Sequence, residues 1–141
     1  MTILARRDHS IAELTGKLQL KGFSVEDCIL AVNYCQEMGY LDDERFAGLL
    51  LRSHIAKGHG PVRIRQAFMQ KGLARDLIAQ VLDASDCDWF ELAREKALRK
   101  YQLPKTSDHK EKAKRIRYMM SQGFSYDQVA YALDYDPFDE N

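Results

Sequence analysis

Residues 39–73 read GYLDDERFAGLLLRSHIAKGHGPVRIRQAFMQKGL. The acidic residues at 42–44 are typical of a helix start, and the glycine-rich segment 57–61 separates this helix from a second one that ends at Gly72. The segment from Arg45 to Arg75 contains no acidic residue and seven basic residues: Arg45, Arg52, Lys57, Arg63, Arg65, Lys71 and Arg75. We expect this segment to contact whatever the protein binds.

The second helix of that stretch ends in a motif that recurs along the chain. Lys-Gly-Phe at 21–23, Lys-Gly-Leu at 71–73 and Gln-Gly-Phe at 122–124 are 50 and 51 residues apart. Apolar residues recur four positions before, six after and ten after each glycine: Leu18, Phe68 and Met119; Cys28, Ile78 and Val129; Val32, Leu82 and Leu133. This register indicates an internal repeat.

Helical periodicity dominates the sequence, and no stretch alternates as a β-strand does, so we predict an all-α fold. We place three tandem three-helix repeats at 1–57, 58–103 and 104–141, the last one shortened and followed by an acidic tail. Such repeats contact mainly their neighbours, which predicts an elongated, curved stack whose right- or left-handedness the sequence leaves open.

The apolar spacing also predicts which helix faces are buried. In the first two helices we expect Ile11, Leu14 and Leu18, then Cys28, Ile29, Val32 and Cys35, to face the core. In the next two helices we expect Phe46, Leu49 and Leu50, then Ile64, Ala67 and Phe68, to face the core.

The composition indicates a soluble protein of the cytoplasm. Hydrophobic residues make up 45% and charged residues 30%, and no apolar run is long enough for a membrane span. The N-terminus lacks a signal-peptide pattern, and the three cysteines lack CxxC spacing, which favours reduced thiols. We therefore expect no membrane association.

The net charge of zero hides a banded pattern. Residues 1–44, 76–93 and 118–141 are acidic overall, whereas 45–75 and 94–117 each carry an excess of seven positive charges. Two basic bands with acidic flanks favour an anionic or mixed-charge partner. The candidate contact residues are Arg45, Arg52, Lys57, Arg63, Arg65, Lys71, Arg94, Arg99, Lys100, Lys110, Lys114 and Arg117.

Other binding chemistries find less support. Five tyrosines at 101, 118, 126, 131 and 135 could stack on unpaired bases, but half-buried packing is favoured for them. The glycine-rich segment 57–61 could hold a phosphate, yet it lacks a GK[ST] ending, so a plain helix-to-helix turn is favoured. The acidic first turns after each repeat glycine argue against insertion of those helices into a major groove.

Catalytic and metal-binding patterns are absent from the sequence. The four histidines are dispersed, and no HExxH, G-x-S-x-G or paired-carboxylate motif occurs. His54 and His59 flank a helix end without a nearby cysteine, so a metal site there is disfavoured. We expect no enzymatic activity and no cofactor; an α-helical hydrolase is the weakest alternative.

Five motifs in order resemble the RecX regulatory proteins over nearly the whole chain. They are ARRDHSIAELTGKL at 5–18, GYLDDERFA at 39–47, KGHGPVRIRQAFMQKGL at 57–73, DWFELAREKALRKY at 88–101 and RYMMSQGFSYDQV at 117–129. The resemblance implies three tandem three-helix repeats and binding to the filament that RecA forms on single-stranded DNA. Many RecX proteins carry further sequence before the first motif, where this chain has four residues.

The resemblance implies a negative modulator that lies in the filament groove and restrains the ATPase, strand-exchange and coprotease activities of RecA. We expect the protein to be a monomer. Whether such inhibition caps filament growth or destabilises the filament interior stays open. The alternative is a stand-alone helical module that binds nucleic acid without RecA, which predicts tight DNA affinity with a steep salt dependence.

Overall fold

The computed structural model describes residues 8–138, which form eight α-helices and no strands. The helices are α1 (Ile11–Leu20), α2 (Val25–Glu37), α3 (Asp43–Ala56), α4 (Pro61–Gln70), α5 (Arg75–Asp83), α6 (Trp89–Tyr101), α7 (His109–Ser121) and α8 (Tyr126–Leu133). The all-α prediction is confirmed. No helix among these residues is long and apolar enough to cross a membrane.

Short polar side chains start most of the helices. Ser10 and Ser125 each form a complete capping box with the residue three positions on, Glu13 and Gln128. Ser24, Asp88 and Asp108 accept hydrogen bonds from first-turn amides of α2, α6 and α7. Pro61 is the first residue of α4, where its missing amide hydrogen costs nothing.

The repeat glycines end α1, α4 and α7 in the same way. Gly72 has a φ of +76°, its amide donates to the Met69 carbonyl at 3.0 Å, and the Leu73 amide donates to the Phe68 carbonyl at 3.2 Å. Gly22 and Gly123 have positive φ values and the corresponding hydrogen bonds. A residue with a side chain is strained in this conformation, so the repeated glycine has a structural cause.

The chain divides into two compact units, each with its own core. Unit 1 comprises residues 8–50 and 67–84, and unit 2 comprises residues 51–66 and 85–138. One core cluster in unit 1 consists of Leu14, Leu18, Cys28, Val32, Cys35 and Leu41. One in unit 2 consists of Ala93, Ala97, Met119, Phe124, Val129, Ala132 and Leu133.

The predicted buried faces are correct in part. Leu14, Leu18, Cys28, Val32, Cys35, Phe46, Ile64 and Phe68 are buried. The prediction was wrong for Ile29 and Leu49, whose side chains are 55% and 40% exposed, and Leu51 and Ala47 are the residues of α3 buried beside Phe46. A 3.6-residue period fixes the width of an apolar face, but the packing partner decides which edge of that face is covered.

Each unit contains the same junction between helix ends. In unit 1 the Ser10 hydroxyl, at the start of α1, donates to the Lys71 carbonyl at 2.6 Å. In unit 2 the Gly60 and Val62 amides, at the start of α4, donate to the carbonyls of Gln122 and Gly123 at 2.8 and 2.9 Å. Ser10 and Gly60 occupy the same repeat position, as do Lys71 and Gln122, so the repeat governs these contacts as well as the apolar pattern.

Candidate partner-binding surfaces

In the folded chain, acidic residues predominate in unit 1 and basic residues in unit 2. Among the described residues, unit 1 contains ten acidic and five basic residues, whereas unit 2 contains nine acidic and fourteen basic residues. Of the twelve candidate contact residues, Arg45 and Lys71 belong to unit 1. The other ten belong to unit 2: Arg52, Lys57, Arg63, Arg65, Arg94, Arg99, Lys100, Lys110, Lys114 and Arg117.

The two basic bands meet within unit 2 around Lys96. Its ammonium donates to the Lys57 carbonyl at 3.0 Å, which joins α6 to the turn after α3. Burial lowers the pKa of Lys96, and the nearby charges of Arg63, Arg99 and Lys100 lower it further. We call Lys57, Arg63, Lys96, Arg99 and Lys100 the basic cluster.

Lys96 was missed among the candidate contact residues. Its position in the second basic band, three and four residues before Arg99 and Lys100 on α6, is the signal that could have identified it. Two cluster members are not freely exposed, because Arg63 and Lys96 are half-buried, whereas Lys57, Arg99 and Lys100 are exposed.

The turn at 57–61 joins two helices, as favoured from the sequence. The Gly60 and Val62 amides, which a phosphate would need, already donate to the carbonyls of Gln122 and Gly123. A Cβ on Gly60 would lie 2.6 Å from the Phe124 nitrogen, so this turn packs directly against the end of α7. The first turn of α4 consequently presents few free amides to a ligand.

His54 and His59 form a hydrogen-bonded pair beside the basic cluster. Their Nδ1 atoms are 2.7 Å apart, so one ring donates and the other accepts. Burial lowers the pKa of both rings, and with the charges of Arg63, His54, Lys96 and Lys57 it lowers the pKa of His59 to about 4. No group of three metal-ligating side chains occurs among residues 8–138, and the neighbouring cations repel a metal ion.

Three candidate cations form ion pairs within their own unit. Lys71 pairs with Glu13 at 3.1 Å, Arg45 with Asp8 at 3.4 Å, and Arg94 with Glu91 at 3.1 Å. The Arg45 guanidinium also donates to the Gly39 carbonyl at 2.9 Å. These three residues therefore already have intramolecular partners, which makes them weaker candidates for contact with another molecule.

Helix α7 presents its three candidate contact residues on an exposed basic face. Lys110, Lys114 and Arg117 are exposed, whereas Met119 is buried and Ile116 is half-buried.

The tyrosines near this face are mostly engaged in packing. The rings of Tyr101 and Tyr118 meet edge to face at 6.1 Å, and Lys100 lies 4.0 Å from the Tyr118 ring centroid. Tyr126 and Tyr131 are about half exposed. Tyr131 and Leu98 line an open groove of about 660 Å³ between α6 and α8.

Comparisons with known proteins agree on one family. The protein-family model described as "RecX, second three-helix domain" matches residues 42–82. The family model described as "RecX, third three-helix domain" matches residues 86–133. The first stretch runs from the start of α3 into the last turn of α5, and the second contains α6–α8. The repeat boundaries that we expected, at 57/58 and 103/104, stay a prediction.

Curated relatives align over most of their length. A Shewanella oneidensis protein named regulatory protein RecX is 53% identical, with 76% of this chain and 95% of the relative covered. A Vibrio parahaemolyticus protein of the same name is 44% identical, with 97% and 88% covered.

Two solved structures show the same fold. The crystal structure of a regulatory protein RecX superimposes with a TM-score of 0.77 at 22% identity, covering 94% of this chain and 67% of that chain. The crystal structure of RecX from Lactobacillus salivarius also gives 0.77, at 19% identity, covering 94% and 88%.

Proposed function

The chain belongs to the RecX family, and we propose that it is a negative modulator of RecA. It binds in the groove of the filament that RecA forms on single-stranded DNA and inhibits the ATPase, strand-exchange and coprotease activities of RecA. It acts as a monomer in the cytoplasm, without a cofactor and without catalysing a reaction. The family assignment supports the regulatory role, and the filament as target is our proposal.

The basic cluster is the observation that best supports the proposed contact with the filament. Three of its members, Lys57, Arg99 and Lys100, are exposed residues of unit 2. Phosphate groups of single-stranded DNA need only positive charge within reach and no particular base sequence. A regulator that acts along a filament of any sequence would need a contact of this kind.

The first experiment measures the single-stranded-DNA-dependent ATPase of RecA with increasing amounts of the protein. We expect inhibition at substoichiometric protein. The double variant Lys57→Glu with Arg99→Glu should need at least about tenfold more protein for half-inhibition, because two exposed contacts become repulsive. Lys21→Glu is the control, because Lys21 is exposed and belongs to unit 1, outside both basic bands.

Two outcomes would contradict the proposal. Absence of inhibition at every ratio would remove RecA as the target. Equal inhibition by the cluster variant and the control would leave RecA as the target but exclude the basic cluster from the contact.

The basic cluster also supports the alternative, a nucleic-acid-binding module that acts without RecA. Binding of a single-stranded oligonucleotide by the protein alone distinguishes the two functions. Tight binding with a steep loss of affinity in salt, together with an unaffected RecA ATPase, would favour the alternative.

A further inference from the structure

Helix α2 exposes large apolar side chains that no described part of the chain covers. Leu30 and Tyr34, one helical turn apart, are 67% and 55% exposed. Glu26, Asp27 and Glu37 lie around them on the helix surface, and none of these acids forms an ion pair with any residue of 8–138. We call Asp27, Leu30, Ala31 and Tyr34 the α2 face.

The internal repeat shows what covers the equivalent positions elsewhere in the molecule. Counted from Gly22 and Gly123, the first three residues of the α2 face correspond to Gln128, Tyr131 and Ala132 of α8. Gln128 and Ala132 are 8% and 3% exposed, whereas Asp27 is exposed. The third repeat therefore covers this surface more fully than the first repeat does, although Tyr131 stays 47% exposed and Ala31 is already half-buried against the core of unit 1.

Helix α6 covers this surface of α8. The Tyr131 ring meets Phe90 edge to face at 5.7 Å, and its hydroxyl donates to Glu91 at 3.2 Å. Ala132 shares a core cluster with the small residues Ala93 and Ala97 of α6. The occupant is thus an amphipathic helix with a narrow stripe of small residues, flanked by apolar ones.

Helix α2 has no such covering helix among the described helices of unit 1. Within unit 1 it packs on α1, as α8 packs on α7. No described helix of unit 1 takes the place on α2 that α6 takes on α8. An exposed apolar strip is typical of an interaction surface, and an amphipathic helix is one common ligand of such a strip.

We infer that the α2 face binds an amphipathic helix of a separate protein, one with small and apolar residues on one side and lysines or arginines beside them. The repeat specifies the shape, because the equivalent face accepts a helix like α6. The acids Glu26, Asp27 and Glu37 specify the charge, because carboxylates around an apolar strip attract cations. This interaction does not depend on the proposed inhibition of RecA.

The test uses the full chain and a labelled peptide of the α6 sequence, WFELAREKALRKY, as the probe. This peptide has the required stripe and an excess of basic residues. Fluorescence anisotropy should show saturable binding that weakens in high salt. Leu30→Gln and Tyr34→Gln should each weaken binding at least about tenfold, which corresponds to about 1.4 kcal/mol.

Ile29→Gln is the matched control. Ile29 is on the same helix and 55% exposed, but it faces the groove toward α1, which Ile11 and Thr15 also line. Binding should survive this change, and circular dichroism should show all three variants folded. A second peptide with every Lys and Arg replaced by Glu should not bind.

Three results would overturn the inference. Absence of saturable peptide binding would exclude a helix-binding site. Equal losses of peptide affinity from Ile29→Gln and Leu30→Gln would place the binding site outside the α2 face. Self-association of the chain in sedimentation experiments that Leu30→Gln abolishes would make a second copy, rather than a separate protein, the occupant. RecA inhibition can persist or fail independently of all three results.

Discussion

At the residue scale, the histidine pair beside the basic cluster has a direct consequence for stability. Each ring needs the other as its hydrogen-bond partner, and a proton on both would leave two donors facing each other across 2.7 Å. Lys57, Arg63 and Lys96 add repulsion. The pair is therefore stable in its neutral form and unfavourable when fully protonated.

We predict that the protein loses stability as the pH falls from about 7 toward 4. A histidine of the unfolded chain takes up a proton near its usual pKa of about 6.5, whereas folded His59 resists protonation down to about 4. The unfolded state thus binds more protons in this window, and acid favours it. Because His59 is partly exposed, solvent screening keeps the loss below the limit of about 1.4 kcal/mol per pH unit.

Thermal melts of the wild type and His59→Asn at several pH values measure this effect. The melting temperature of the wild type should fall more steeply with acid than that of the variant. The difference isolates His59 from the carboxylates, which titrate in both proteins. Parallel pH profiles would mean that His59 takes up its proton in the folded state near the ordinary pKa of histidine, which would contradict the prediction.

Sequence patterns could identify the twelve candidate cations but not their neighbours. Arg63 is one of these candidates, and a Cβ on Gly123 would lie 2.7 Å from its backbone nitrogen. The sequence separation between these residues is large, and no local rule predicts such an approach. The hydrogen bond from the Lys96 ammonium to the Lys57 carbonyl cannot be predicted from the sequence for the same reason.

At the scale of the helix, starts and ends were predictable because they depend on local chemistry. Ser10, Ser24 and Pro61 start helices, and Gly72 ends one, in keeping with the positional preferences of these residue types. Burial was less predictable, as Ile29 and Leu49 show, because it depends on which neighbour covers the edge of an apolar face. The repeat register was predictable, but the junction between helix ends was not.

The junction between helix ends predicts different costs for two glycine substitutions. Gly72 and Gly22 both have positive φ values, so an alanine at either site costs about 1 kcal/mol of backbone strain. A Cβ on Gly72 would also overlap the Ala12 side chain, whereas nothing lies within 4 Å of a Cβ on Gly22. We expect Gly72→Ala to cost about 2 to 4 kcal/mol in total, and the larger Gly72→Val to cost more.

Urea denaturation of Gly72→Ala and Gly22→Ala measures the two free energies of unfolding. Gly22→Ala is the control that carries the strain without the overlap. Equal free energies for the two variants would show that α1 can move away from Gly72 at no cost. The same comparison applies to Gly123, where a Cβ would overlap that of Arg63.

At the scale of the whole molecule, a net charge of zero conceals two units of opposite sign. The five charge bands of the sequence alternate, but the chain returns to unit 1 for residues 67–84, and the basic bands largely fall in unit 2. Unit 2 carries the basic cluster, and unit 1 carries the acidic α2 face. A molecule of this kind can hold a polyanion and a basic protein segment on different surfaces.

This separation predicts where single-stranded DNA contacts the protein. Photo-crosslinking of an oligothymidine that carries a 4-thiothymidine, followed by mass spectrometry, should label residues 51–66 and 85–138. The phosphate chain is attracted by fourteen bases in unit 2 and repelled by the acidic excess of unit 1. High salt should abolish the labelling, and Lys57→Glu with Arg99→Glu should reduce it. Dominant labelling of residues 8–44 would contradict the assignment, because local side-chain contacts would then outweigh the charge of the unit.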